Sequence, residues 1–460
     1  ETMAMSFYPN EGNPLWEKYS TESIIHTMEQ YNKYTFDYPY PVSISVNGPV
    51  GGMEYPMITF NGPRPTLDKK TGEKTYSRRT KYGLIGVIIH EVGHNYFPMI
   101  VNSDERQWTW MDEGLNTFLQ FVAEQAWEED YPSRRGDAAN ITTYMKSNNQ
   151  VPIMTNSESI LQFGNNAYGK PATALNILRE TIMGRELFDF AFREYAQRWK
   201  FKRPTPADFF RTMEDASGVD LDWFWRGWFY STDHVDIAID KVYQMRLDTH
   251  NPDIDYGRLR QIEADKPSSL FVERNKAEGK ELWVDRNSDV TDFYDTNDRF
   301  TVTNKERNKY NKFLKGLKPW ERKTLERAIK EDKNYYVLEF SNVGGLVMPI
   351  LLELTYKDGS KDSMYIPAEI WRRTPKQVRK LIVTDKEKEL ASVAVDPGWE
   401  TADVDVENNH YPRQIIPSRV EAYKAKKRTD KVSRDIMKDI KTELKADKDP
   451  KQNKKDKKDK

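Results

Sequence analysis

The stretch from Lys81 to about Phe97 has a helical period and is nearly apolar all round over its first half. Such a helix belongs inside a core, not on a surface. Yet it carries His90-Glu91-Val92-Gly93-His94, which uses two of the six histidines in 460 residues. A spacing of four sets both imidazoles on one face, one turn apart, where they can grip a single metal ion. Glu91 points about 100° away around the axis, off the metal but near a water bound to it. The bland alternative is two satisfied core histidines beside an incidental glutamate. A third candidate ligand weighs against it: Glu113 follows His94 with 18 residues between them, near the start of the next expected helix. Two histidines and a carboxylate, with a free carboxylate adjacent, form a metallohydrolase arrangement. Asp112, Asn116 and Thr117 are either polar support for those ligands or ordinary cap and helix residues.

Composition narrows the rest. The net charge is -1, but it is split: residues 421–460 hold 16 Lys/Arg and 9 Asp/Glu, leaving 55 and 63 in residues 1–420. A body of net -8 is poorly suited to binding phosphate backbones, so no nucleic-acid partner is expected. The tail interleaves Lys with Asp, as solvated tails do. With no cysteine there are no disulfides, thiolate ligands or cysteine nucleophile. The densest apolar run, Val343 to Leu354, is too short to span a bilayer, so no transmembrane segment is expected.

Read along the chain, residues 15–34 predict a helix, and Val42 to Val46 alternates like a strand. A second strand is expected from Met53 to Phe60. Helices follow over 110–127 and on to about residue 230. Thr205 caps one of them, with Pro206 at its first position and Gly218 at its end. The cluster Trp223, Phe224, Trp225, Trp228 and Phe229 reads as core, and Gly344-Gly345 as a turn. Beyond Val235 short strands separated by turn signals suggest an antiparallel sandwich. Four units result: 1–235, a mostly helical metal-site domain; 236–332, a connector with strands and charged helices; 333–420, sandwich-like; and 421–460, a basic low-complexity tail expected to be largely disordered.

The histidine pair with Glu113 at that distance resembles the gluzincin aminopeptidases typified by aminopeptidase N. Two further stretches stand in family order. Gly51-Gly52-Met53-Glu54-Tyr55 is similar to the family's Gly-x-Met-Glu-Asn motif, with Tyr55 in place of Asn. Tyr168-Gly-Lys170-Pro-Ala172 is similar to its Tyr-x-Lys-Gly-Ala segment, with Pro171 in place of Gly. The resemblance covers residues 1 to about 235. It implies an α+β architecture: a thermolysin-like, mostly helical zinc-peptidase domain, then a helical connector and a small antiparallel β-sandwich. Family members carry an N-terminal β domain before this point, which the resemblance leads one to expect is missing ahead of the catalytic part.

The resemblance also implies roles. One Zn²⁺ per chain would sit on His90, His94 and Glu113; Glu91 would be general base and acid, and Tyr168 would stabilise the oxyanion. Glu54 would pair with the substrate's α-ammonium. Gly51, Gly52 and Met53 would let a peptide with a free N-terminus lie alongside as an added strand. The implied activity is removal of N-terminal residues, in a periplasmic or extracellular location, with the cytoplasm as the alternative. Two other readings stay open: an endopeptidase or other zinc hydrolase on the same scaffold, and a non-catalytic metal-binding scaffold. Side-chain preference and oligomeric state are not legible.

Overall fold

The computed structural model describes residues 1–69, 71–414 and 433–448. Four strands come first: β1 (Met3–Phe7), β2 (Val42–Asn47), β3 (Gly52–Tyr55) and β4 (Ile58–Asn61). They form one sheet in the order β1-β2-β4-β3, parallel except for the β3/β4 hairpin, which leaves β3 at an edge. The single strand expected over 53–60 is therefore two. Pro56 has no backbone N–H for a ladder, and Met57 adopts a φ of 66°, so the chain turns there.

Helix α1 (Leu15–Tyr34) buries Trp16, Ile24, Met28 and Tyr31 on one stripe, as its period requires. Helix α2 (Arg78–Gly93) starts where the Ser77 side chain accepts from the Thr80 amide, and it is buried almost throughout from Leu84 onward. The histidine helix thus ends at Gly93. A separate turn, Asn95–Ile100, contains Phe97 in an extended conformation and Pro98. Helix α3 (Leu115–Trp127) follows a wide helical turn at Trp110–Gly114.

Buried Tyr31 ties the three helices together: its hydroxyl donates to Asn116 Oδ1 at 2.8 Å, while Asn116 Nδ2 donates to the His90 carbonyl at 2.8 Å. Gly93 sits at this junction. A methyl group there would lie 2.2 Å from Asn116 Oδ1 and 2.4 Å from the Tyr31 hydroxyl oxygen.

Helices α4 (Ala138–Met145), α5 (Lys170–Ile177), α6 (Arg185–Trp199), α7 (Pro206–Ser217) and α8 (Asp222–Tyr230) complete the helical part. Helix α7 has the expected punctuation: Thr205 and Asp208 make a reciprocal cap, and Gly218 closes the helix at a φ of 69°. Trp110, Phe209, Phe210, Trp225 and Phe229 interlock edge-to-face and stacked. Each contributes about 1.5–3 kcal/mol by burial, and this cluster fixes the turn that bears Glu113.

Lys170, at the start of α5, is fully buried and donates to the Ser231 carbonyl at 3.3 Å, clamping α5 to the end of α8. Burial lowers its pKa to about 8, although Asp233 opposes the shift.

After α8 two antiparallel sheets form. One has the order β10-β9-β12-β13, namely Lys361–Ile366, Ile350–Tyr356, Leu390–Val395 and His410–Tyr411. The other has the order β11-β8-β7, namely Gln377–Thr384, Asn334–Asn342 and Ile237–Met245. Strand β7 therefore pairs into the C-terminal sheets, while short, largely exposed helices fill the chain between β7 and β8. Gly345 has a φ of 88°, and a Cβ on Gly344 would lie 2.2 Å from the His234 carbonyl oxygen, so that turn needs its glycines.

Part of the tail is helical. Residues Ile436–Lys448 form a helix against the hairpin β5 (Thr66–Leu67) and β6 (Lys74–Thr75). Lys441 and Lys445 lie 3.3 and 3.0 Å from Glu73, and Thr75 donates to Asp435 at 2.7 Å. Ion pairs with a distant loop order a segment whose own composition would leave it solvated. Residues 421–432 and 449–460 of that tail lie outside the described residues. No helix of the described residues is long and apolar enough to cross a membrane.

Two outcomes test this packing. Gly93→Ala should lower stability by about 1–3 kcal/mol through overpacking, read as a lower urea midpoint at unchanged m-value. Lys170 should make stability rise between about pH 8 and 10, because there the unfolded chain binds a proton that the folded chain lacks. Against Lys170→Met, which lacks that term, the wild type should gain relative stability across the same window in urea melts.

Candidate active site

Helix α2 presents His90 and His94 one turn apart, and the Trp110–Gly114 turn brings Glu113 to them. His90 Nε2 and His94 Nε2 are 3.1 Å apart, and Glu113 Oε2 lies 3.1 and 3.4 Å from them. All three ligand atoms lie within 4.8 Å of one another.

The back of each ring fixes its tautomer. His90 Nδ1 is 2.9 Å from Gln120 Oε1. The Gln120 amide nitrogen already donates to the Gly86 carbonyl and to Glu124, so its oxygen must accept from His90. His94 Nδ1 is 2.9 Å from the Phe97 carbonyl, which can only accept, with Asp112 Oδ1 also at 2.9 Å. In the neutral rings both Nε2 atoms are therefore lone pairs, aimed with Glu113 at one point. Three converging acceptors call for a cation, and two nitrogens with one carboxylate suit zinc.

The electrostatics favour a positive charge at this point. Burial lowers the pKa of His90, keeping that ring neutral. Burial also pushes His94 down, but its bonds to Asp112 and Glu113 prevail and hold it well above the ordinary value. Burial would raise Glu113, yet both imidazoles hold it far below its usual range. A field that draws a proton this strongly would also hold a metal.

Glu91 lies beside this point with Oε2 buried and, among the described residues, without a hydrogen-bond partner. Burial raises its pKa to about 8, Glu54, Glu113 and Asp112 adding to the shift and His94 opposing it. Tyr168 donates its hydroxyl to Glu113 Oε1 at 2.6 Å, and its ring stacks 5.8 Å from that of His90.

Strand β3 runs along α2. A Cβ on Gly52 would lie 2.3 Å from Glu91 Oε1 and 2.8 Å from Val87, so only glycine allows this approach. At Gly51 the space is open; the steric need is Gly52's alone. Met53 is exposed. Glu54 forms a second cluster with Glu91 and His94. A cavity of about 590 Å³ opens from His90, Glu91 and Tyr168 along the N-terminal half of α2, past Gly86 and Gly83.

Two residues at the site were not among the sequence candidates. Gln120 stands seven positions after Glu113, two turns along α3, and that spacing was the available signal. Arg135, whose guanidinium lies 4.3 Å over the Tyr168 ring, comes from a loop and left none.

A buried helix with two histidines, a carboxylate from the next helical turn and a free carboxylate between them define the active-site architecture of a zinc metallopeptidase of the gluzincin class. Residues 16–228 match the model of the peptidase family M1 domain, and in this part the chain is similar to the aminopeptidase N-like members of that family. Pig glutamyl aminopeptidase is 24% identical over 242 residues, covering 49% of this chain and 24% of that protein. Mouse endoplasmic reticulum aminopeptidase 1 is 26% identical over 210 residues, 42% of this chain and 22% of that protein. The match thus spans about a quarter of the length of these relatives. The crystal structure of Legionella pneumophila aminopeptidase A with aspartic acid gives 13% identity and a TM-score of 0.44, over 84% of this chain and 33% of that one. A likeness that loose carries no argument.

Gln120→Leu should weaken zinc binding by about 10- to 100-fold, measured by competition with a chromophoric chelator, with circular dichroism unchanged.

Proposed function

We propose that this protein is a zinc-dependent aminopeptidase that hydrolyses the first peptide bond of peptides with a free N-terminus. The observation that carries the reading is Glu54: a carboxylate on the open edge strand β3, grouped with Glu91 and His94 at one end of the site. An ammonium held there places the first peptide bond beside the histidine pair. The unpaired edge of β3 offers backbone groups for an extended peptide to add as a strand.

Zinc held by His90, His94 and Glu113, one per chain, would supply Lewis acidity, lowering the pKa of water and polarising the scissile carbonyl. Glu91 then acts as general base and returns its proton to the leaving amine; its buried Oε2 has no partner among the described residues to compete for that proton. The Tyr168 hydroxyl, now on Glu113, is a donor at the site for charge developing on the carbonyl oxygen. Gln120 and the Phe97 carbonyl orient the two imidazoles from behind. In architecture, the helical part is read as a thermolysin-like catalytic domain and the two C-terminal sheets as a sandwich.

Mass spectrometry of a free peptide and its N-acetylated twin tests the substrate reading. Stepwise loss from the free N-terminus alone is expected; internal cuts, or cleavage of the acetylated twin, would favour an endopeptidase. Glu91→Gln should lower kcat by about 10²- to 10⁴-fold with zinc still bound. Near-normal turnover in that variant would remove Glu91 from the mechanism.

A further inference from the structure

The cavity beside the site runs away from Glu54. Glu54 groups with Glu91 and His94, toward the C-terminal end of α2, whereas the cavity is lined by Gly83, Gly86, Val87 and His90, toward the helix start. On the aminopeptidase reading, on which this inference rests, the leaving side of the substrate therefore enters the cavity. Three arginines line it: Arg79, Arg134 and Arg135. The carboxylates that line it with them are Glu91 and Glu124. Glu124 is buried, accepts from Gln120 and Ser133, and is raised by burial to about 7. Glu91 belongs to the chemistry.

Arg135 is the telling one. Its guanidinium is half-buried, lies over the Tyr168 ring at 4.3 Å, and has no carboxylate within ion-pair distance among the described residues. Bare Gly164 leaves it room: a Cβ there would lie 3.3 Å from Nη2. A guanidinium taken out of water without an anion is costly, and its five N–H groups suit a carboxylate. Glu113 and Glu124 act on it only through space.

We propose that Arg135 determines specificity by binding a substrate carboxylate on the leaving side of the cleaved bond, within the first two residues. The reach follows from scale: one ring separates Arg135 from the Tyr168–Glu113 pair, and an extended peptide advances about 3.3–3.6 Å per residue. That carboxylate is either the C-terminus of a short peptide or an acidic side chain.

Paired substrates distinguish the two sources: trialanine against its amide, and Ala-Glu-Ala amide against Ala-Gln-Ala amide. The wild type should favour the carboxylate member of at least one pair by about 10- to 100-fold in kcat/KM. The pair showing it identifies the source. Arg135→Gln should collapse that ratio toward one, and Arg135→Lys should retain part of it. If Arg135→Gln slows both members alike and keeps the ratio, Arg135 only positions Tyr168 and the proposal is overturned. Equal rates for both pairs in the wild type overturn it too. Should no peptide be turned over, the aminopeptidase reading itself fails. Calorimetric binding of the same pairs to the zinc-loaded protein then decides: tighter carboxylate binding lost in Arg135→Gln upholds the site, and equal binding removes it.

Discussion

Three lone pairs meeting at one point are the constraint on which this structure turns. With both rings neutral, His90, His94 and Glu113 share that space only around a positive charge. Everything nearby acts to hold them there. Gln120 and the Phe97 carbonyl grip the backs of the rings, Asn116 takes the His90 carbonyl, and Tyr31 holds Asn116. Three helices are thereby locked to one another through polar contacts that an apolar core could not replace without losing the site.

The geometry needs bare backbone where elements approach α2 most closely. Gly52 brings β3 against Glu91, Gly86 admits the Glu124 side chain, and Gly93 admits Tyr31 and Asn116. At each of these a Cβ would fall within 3 Å of another side chain. The sheet edge, the supporting glutamine network and the histidine helix are assembled through these three positions. The aromatic wedge of Trp110 and helices α7 and α8 does the same for Glu113 from the other side.

What was legible in the sequence was local. The four-residue histidine spacing and the apolar helix obey one period, so the proximity of His90 and His94 could be read directly. The stripe of α1 and the cap of α7 were equally local. The Met53–Phe60 strand was misread because its apolar pattern outweighed Pro56, which breaks it into a hairpin. Arg135 escaped because a loop brings it to Tyr168, and loops carry no period. The docking of helix Ile436–Lys448 was not legible because its partners, Glu73 and Thr75, lie more than 350 positions away.

Metal stoichiometry tests the central claim most directly. Native mass spectrometry of the zinc-loaded protein should show one zinc per chain, and His94→Ala under the same conditions should show none. Zinc retained at full occupancy by that variant, or a wild type that holds none, would contradict the assignment of His90, His94 and Glu113.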